Sequence, residues 1–143
     1  MKNYLSKLHS WQLAIISGVL IGISFHQIYF GILVYIGFIP LMHSWFRNNP
    51  KSNLFSGYVF GVTYNLISNY WMATNSGAEF IIVLFSLIAA TLYLSIFWGF
   101  AGFIVGFNTN IFIKILMVPF LIVSLEWIRS FGPLGFAWGN LAL

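Results

Sequence analysis

The chain has 143 residues, of which 60% are hydrophobic and only 6% charged, with a net charge of +4. A soluble domain carries about 25% charged residues, so a water-facing surface is excluded and lipid must be the solvent. Cysteine is absent, which removes disulfides, thiolate metal sites and a cysteine nucleophile from within this chain.

Charge-free windows locate the crossings. Residues 8–46, 52–78 and 80–113 contain no Lys, Arg, Asp or Glu, and one crossing needs about 20 apolar residues. The first window is too long for one helix and is broken by the polar, aromatic turn His26 to Gly31. Helix 1 is therefore expected at about 10–25. It has a basic start and an apolar core but no small-x-small cleavage site, so it does not read as a cleavable signal peptide. Helix 2 is expected at about 28–46, helix 3 at about 53–73, helix 4 at about 79–106 and helix 5 at about 111–129. The fold class is then all-α, a polytopic transmembrane bundle of about five spanning helices.

Orientation follows from the basic residues. Lys2 and Lys7 precede helix 1, Arg47 and Lys51 lie between helices 2 and 3, and Lys114 lies at the junction of helices 4 and 5. If all five segments cross, these fall on one side, and Arg129 falls on the other. An excess of Lys and Arg marks the cytoplasmic side. The amino terminus is then cytoplasmic and the C-terminal loop lies outside. The basic residues are scattered singly, so the charge speaks of membrane orientation and not of nucleic acid.

Within the helices, Gly18 and Gly22, Gly57 and Gly61, and Gly102 and Gly106 each repeat at four residues. Such pairs let helix backbones approach closely in lipid, although glycine is common in membrane helices anyway. Helix 3 places Gly57, Gly61, Asn65, Ser68, Asn69 and Met72 along one face. Asparagine in lipid needs partners, so this face is expected to turn into the bundle. Interhelical glue is the favoured role; lining a polar cavity is the other.

Self-contained chemistry is sparse. His9, His26 and His43 have no metal-ligand spacing and read as interfacial or packing residues. No metal site, cofactor motif, phosphate-cradling loop or internal repeat is visible. Glu79 reads as a solvated loop residue. Glu126 lies near the end of an apolar helix, with Arg129 three residues on. The two can form a partly buried ion pair that seats the helix end, or Glu126 can orient a lipid headgroup. The guanidinium of Arg129 suits phosphate. Phe131, Phe136 and Trp138 belong at headgroup level, where aromatic rings prefer to lie.

These residues carry a resemblance. Glu126-x-x-Arg129 followed by Gly135-Phe136-x-Trp138 resembles the signature of bacterial apolipoprotein N-acyltransferases. Other pieces fall in family order: Ser24-Phe25, Phe38-Ile-Pro40-Leu41, Gly57-x-x-Phe60-Gly61, Tyr70-Trp71, and Leu92-Tyr93-Leu94-x-x-Phe97-Trp98-Gly99. The likeness runs from about Ser17 to Leu143. It implies a bacterial inner-membrane enzyme of lipoprotein maturation, without a cofactor. That enzyme moves an acyl chain from a phospholipid donor to the diacylglyceryl cysteine of a lipoprotein acceptor. Arg129, Phe136, Trp138 and Glu126 become the substrate-binding candidates. Two departures stand out. The proline of the first outer turn is absent, and Ala137 replaces the proline of the Gly-Phe-Pro-Trp motif. The family also continues into a nitrilase-like domain that supplies a Glu base, a Lys and a Cys nucleophile. The likeness covers only the membrane portion of the family, so residues 1–143 are expected to be its N-terminal transmembrane domain, with no catalytic residue in this chain and no activity of the chain alone. A fragment, a split or frameshifted gene and a truncated version are all compatible with this. An alternative reading, from a different class, is a small membrane-embedded binding or accessory subunit of a transporter.

Overall fold

Asparagine and proline punctuate the chain where its helices begin. Asn49 Oδ1 accepts the Ser52 N–H at 2.9 Å, and Pro50 occupies the first helical turn. An asparagine cap satisfies an otherwise orphaned amide, and proline loses nothing there because its missing N–H would be unpaired anyway. Asn110 Oδ1 likewise accepts the Phe112 N–H at 2.9 Å. The computed structural model describes residues 8–26, 31–74, 77, 79–131 and 135. It contains α1 (Ser10–Ser24), α2 (Ile32–Arg47), α3 (Pro50–Ser68), α4 (Phe80–Phe107) and α5 (Ile111–Ile128), with a 3₁₀ segment Tyr70–Thr74 after α3.

The sequence places α1, α4 and α5 to within one residue at each end. It starts α3 too late because the apolar run begins after Asn53, whereas the Asn49 cap sets the helix start. It ends α3 too late because the chain tightens into the 3₁₀ segment after Asn69. The expected start of helix 2, at residue 28, lies outside the described residues. Glu79 is the exposed N-cap of α4.

Helix length sorts the elements. Among the described residues, Phe80–Phe107 and Ile111–Ile128 are long and apolar enough to cross a membrane. α1 and α2, with 15 and 16 residues, span only about 22–24 Å at 1.5 Å per residue, short of a hydrocarbon core about 30 Å thick. α3 has 19 residues but buries Asn53, Ser56, Asn65 and Ser68 along its inner face.

Glycines set the packing. α3 runs antiparallel to α4, and the two meet backbone to backbone. A Cβ on Gly57 would collide with the Trp98 carbonyl, and one on Gly102 with the Asn53 carbonyl. Gly61 faces Ser95, and Gly106 faces Pro50. Gly18 and Gly22 of α1 lie against Thr63 and Ile67 of α3. All three four-residue glycine pairs are thus contact surfaces. α2 packs on α1, where Gly37 meets Ile21. Pro40 sits inside α2, and the next amide, Leu41 N–H, donates to Ser17 Oγ of α1 at 2.9 Å. α5 rests mainly on α4.

This up-and-down arrangement gives the bundle two ends. Arg47, Lys51 and Lys114 lie at one end, with the starts of α1, α3 and α5. Lys114, expected at the junction of helices 4 and 5, is in the first turn of α5 and only 4% exposed. Its Nζ donates to the Trp45 and Phe46 carbonyls at 3.3 and 3.2 Å. Asn53 Nδ2 donates to the same Trp45 carbonyl at 2.8 Å. The C-terminal carbonyls of α2 are therefore capped by side chains of α3 and α5.

Candidate functional site

The opposite end carries a second set of buried charges, Glu126 and Arg129. At the centre of the bundle Phe60, Tyr64 and Trp98 form an aromatic core. Phe60 and Tyr64 stack at 5.8 Å, and Trp98 stands edge-on to Phe60 at 4.8 Å and to Tyr64 at 6.0 Å. Phe38 closes one side and Phe25 the other. A tyrosine inside an apolar helix needs a partner for its hydroxyl; Tyr64 shares a hydrogen bond with Ser68, one turn further along α3.

α5 brings its last turn onto this core. Glu126 is 4% exposed and Arg129, which ends the helix, is 2% exposed. Arg129 lies within electrostatic reach of both Tyr64 and Glu126. The i, i+3 spacing puts the two charges on the same face of α5, and that face is the one turned inward. A charge so far from water is tolerated only when paired and hydrogen-bonded. The Arg129 amide donates to the Leu125 carbonyl at 3.0 Å, and Ser130 Oγ donates to the Glu126 carbonyl at 2.8 Å, so the helix end is firmly closed.

A crevice opens beside the pair, between Trp98 and Ala101 of α4 and Ile122 and Leu125 of α5. Its accessible volume is about 10 Å³, enough for one water and too little for an acyl chain. Beyond it, Trp127 and Phe131 stack edge to face at 4.7 Å on the exposed side of α5.

The structure thus brings two of the four candidate residues together. Glu126 and Arg129 meet inside the bundle instead of at its surface. Phe136 and Trp138 lie outside the described residues. Tyr64 was missed as a member of the cluster; its signal was a phenol three residues after Gly61 and four before Ser68, on the inward face of α3. His26 sits at the same end, its Nε2 2.9 Å from the Ile67 carbonyl and its ring edge-on to Tyr70. No group of three metal-ligating side chains occurs among the described residues.

The polar face of α3 turns inward as expected, but Asn65 Nδ2 bonds the Gly61 carbonyl of its own helix at 2.8 Å. Its burial therefore reflects close packing, not a hydrogen bond to a neighbouring helix through that group.

An all-helical bundle with glycine-mediated packing, two helices fit to cross a membrane and a buried Glu/Arg pair at one end defines a membrane-type helical domain. Comparison with known proteins makes this specific. The family model described as the apolipoprotein N-acyltransferase N-terminal domain matches residues 17–143, and the chain belongs to that family. It is 28% identical over 134 residues to an apolipoprotein N-acyltransferase of Geobacter metallireducens. That alignment covers 90% of this chain but 26% of the relative's length. No solved structure matches it.

Proposed function

We propose that this chain is the membrane portion of an apolipoprotein N-acyltransferase. In this reading it helps transfer an acyl chain from phospholipid to the N-terminal diacylglyceryl cysteine of bacterial lipoproteins. All five helices cross the inner membrane, the short α1 and α2 by local thinning of the bilayer, the amino terminus is cytoplasmic and the segment after Arg129 lies outside. The observation that carries the reading is the end of α5. There, the family's Glu-x-x-Arg spacing coincides with a buried Glu126–Arg129–Tyr64 cluster, directly before the aromatic segment that contains Phe136 and Trp138.

The cluster has a chemical role in this scheme. It fixes the last turn of α5, and so fixes where the following aromatic segment meets the headgroups. Phe136 and Trp138 then contact acyl chains, and Arg129 acts from beneath, through charge. In such a transfer a cysteine thiolate first takes the acyl chain as a thioester, releasing the lysophospholipid, and the acceptor's amino group then takes it from the thiolate. This chain contains no cysteine, so by itself it forms no thioester.

The test is a chimaera. This chain replaces the matching part of the Geobacter metallireducens relative and is joined to the remainder of that protein. Phospholipid and a diacylglyceryl peptide are supplied in detergent. Acyl transfer by the chimaera, with none by the 143-residue chain alone, is expected. A folded chimaera with no transfer, or turnover by the isolated chain, refutes the reading.

A further inference from the structure

The end of the bundle away from Glu126 and Arg129 contains a cleft of about 370 Å³, between the start of α1 and the end of α2. That size falls within the range of small-molecule sites, about 300–1,000 Å³. The acyl-transfer reading makes no use of it.

Leu13 lies at its base, and His9, Ser10, His43, Ser44 and Arg47 supply its polar lining. Arg47 Nη1 lies 3.1 Å from His43 Nε2. Guanidinium can only donate, so His43 Nε2 accepts and the ring proton is on Nδ1. This bond leaves the other N–H groups of Arg47 available for a ligand. Ser10 Oγ accepts from Asn48 Nδ2 at 2.9 Å, and its own proton remains to be donated. Ser10 also opens α1, whose N-terminus favours anions.

Two features make the lining rich in donors. The end of a helix normally presents bare carbonyls, but three of those at the end of α2 are taken. Ser44 O accepts from the Asn48 amide and side chain, Trp45 O from Asn53 and Lys114, and Phe46 O from Lys114. Carboxylates are also missing: the chain's two acidic residues are Glu79 and Glu126, and both lie at the other end of the bundle. Arg47 therefore has no carboxylate counter-ion within reach in this chain.

We infer that this cleft binds a phosphate group, held by Arg47 with Ser10 and His43, and that its carrier is a phospholipid headgroup of the leaflet on this side. Guanidinium recognises phosphate through paired, charge-assisted hydrogen bonds. Headgroups lie at the depth of a helix end in a membrane protein, and Leu8 and Leu13 at the cleft offer apolar contact to the glycerol region. The inference is independent of acyl transfer.

The full chain is purified in detergent and incubated with phosphatidylglycerol, diacylglycerol or inorganic phosphate, and retained ligand is counted by native mass spectrometry. Phosphatidylglycerol should be retained at least about tenfold better than diacylglycerol, in keeping with a charge-assisted contact. Arg47→Gln should abolish that preference, and His43→Gln should reduce it. Arg47→Lys keeps the charge but loses the fork, and so reduces retention even if Arg47→Gln fails to fold. Lys51→Gln, at the same end but outside the cleft, should change nothing. Equal loss in Lys51→Gln and Arg47→Gln would reduce the effect to general surface charge and overturn the site, as would equal retention of diacylglycerol. Retention of inorganic phosphate alone would keep the anion chemistry and assign it to a soluble ligand.

Discussion

Replacing Gly57 by alanine tests whether α3 and α4 are held by backbone contact. The added methyl would land on the Trp98 carbonyl, a backbone atom that cannot swing away. Overpacking of this kind costs about 1–3 kcal/mol. Alanine also favours helix over glycine by up to about 1 kcal/mol, which partly hides the steric cost. Gly99→Ala supplies the control. There a Cβ meets the Leu54 carbonyl at 3.3 Å and Tyr58 Cβ at 3.5 Å, so tenths of an ångström of relief suffice. The propensity term is common to both variants and cancels in their difference. Gly57→Ala should therefore be less stable than Gly99→Ala by about 1–3 kcal/mol, roughly five- to 150-fold in the folding equilibrium. Reversible unfolding in mixed micelles of increasing SDS content, followed by tryptophan fluorescence, measures both. Equal stabilities, or a less stable Gly99→Ala, would refute backbone contact as the basis of this packing.

Arg129→Ala should destabilise the bundle by about 3–5 kcal/mol, because it leaves Glu126 buried without its counter-charge; adding Glu126→Gln should recover part of that loss in the same unfolding assay, and no recovery would mean that the two charges are not coupled. In the acyltransferase chimaera, Trp138→Ala and Phe136→Ala should lower acyl transfer per folded molecule at unchanged folded yield; a fall in yield at unchanged rate would make these rings anchors only. A reporter active only outside the cytoplasm should give signal when fused after Leu143 and none when fused after Asn49, and the reverse pattern would remove the five-crossing topology.

Much of the fold could be read before the structure because lipid simplifies the problem. A hydrocarbon solvent forbids unpaired backbone groups, so each apolar window had to be helical. The charge-free stretch 80–113 then placed α4 closely. The method failed where polar residues do structural work. α3 begins at Pro50, inside what looked like a charged loop, because Asn49 caps it. Lys114 reads as a cation at the junction of helices 4 and 5 because a lone lysine at the edge of an apolar run usually reaches for water. Here it reaches instead for two carbonyls of α2, which lie 68 and 69 positions earlier in the chain. No local pattern encodes a contact of that kind.

The candidate site shows the same division between what spacing reveals and what packing decides. Glu126 and Arg129 three residues apart must share a helical face, and that much is local geometry. Which way the face points depends on α3 and α4. Close approach through Gly57, Gly61 and Gly102 pulls those helices together and sets Tyr64 beside Trp98. α5 itself is lightly buried: among its residues only Lys114, Val118 and Glu126 are buried, Leu121, Ile122 and Leu125 pack half-buried against the core, and Phe112, Phe120 and Trp127 are exposed. The helix is thus fixed near its two ends, by the Lys114 ammonium at one and by the Glu126–Arg129 pair at the other, with Val118 packed between them. A charge pair seated against a phenol holds direction as well as position, because it is satisfied in only one rotational setting of the helix. An apolar stripe would tolerate rotation by a fraction of a turn. The direction in which the chain leaves α5, through the bonds of Arg129 and Ser130 to Leu125 and Glu126, follows from that setting.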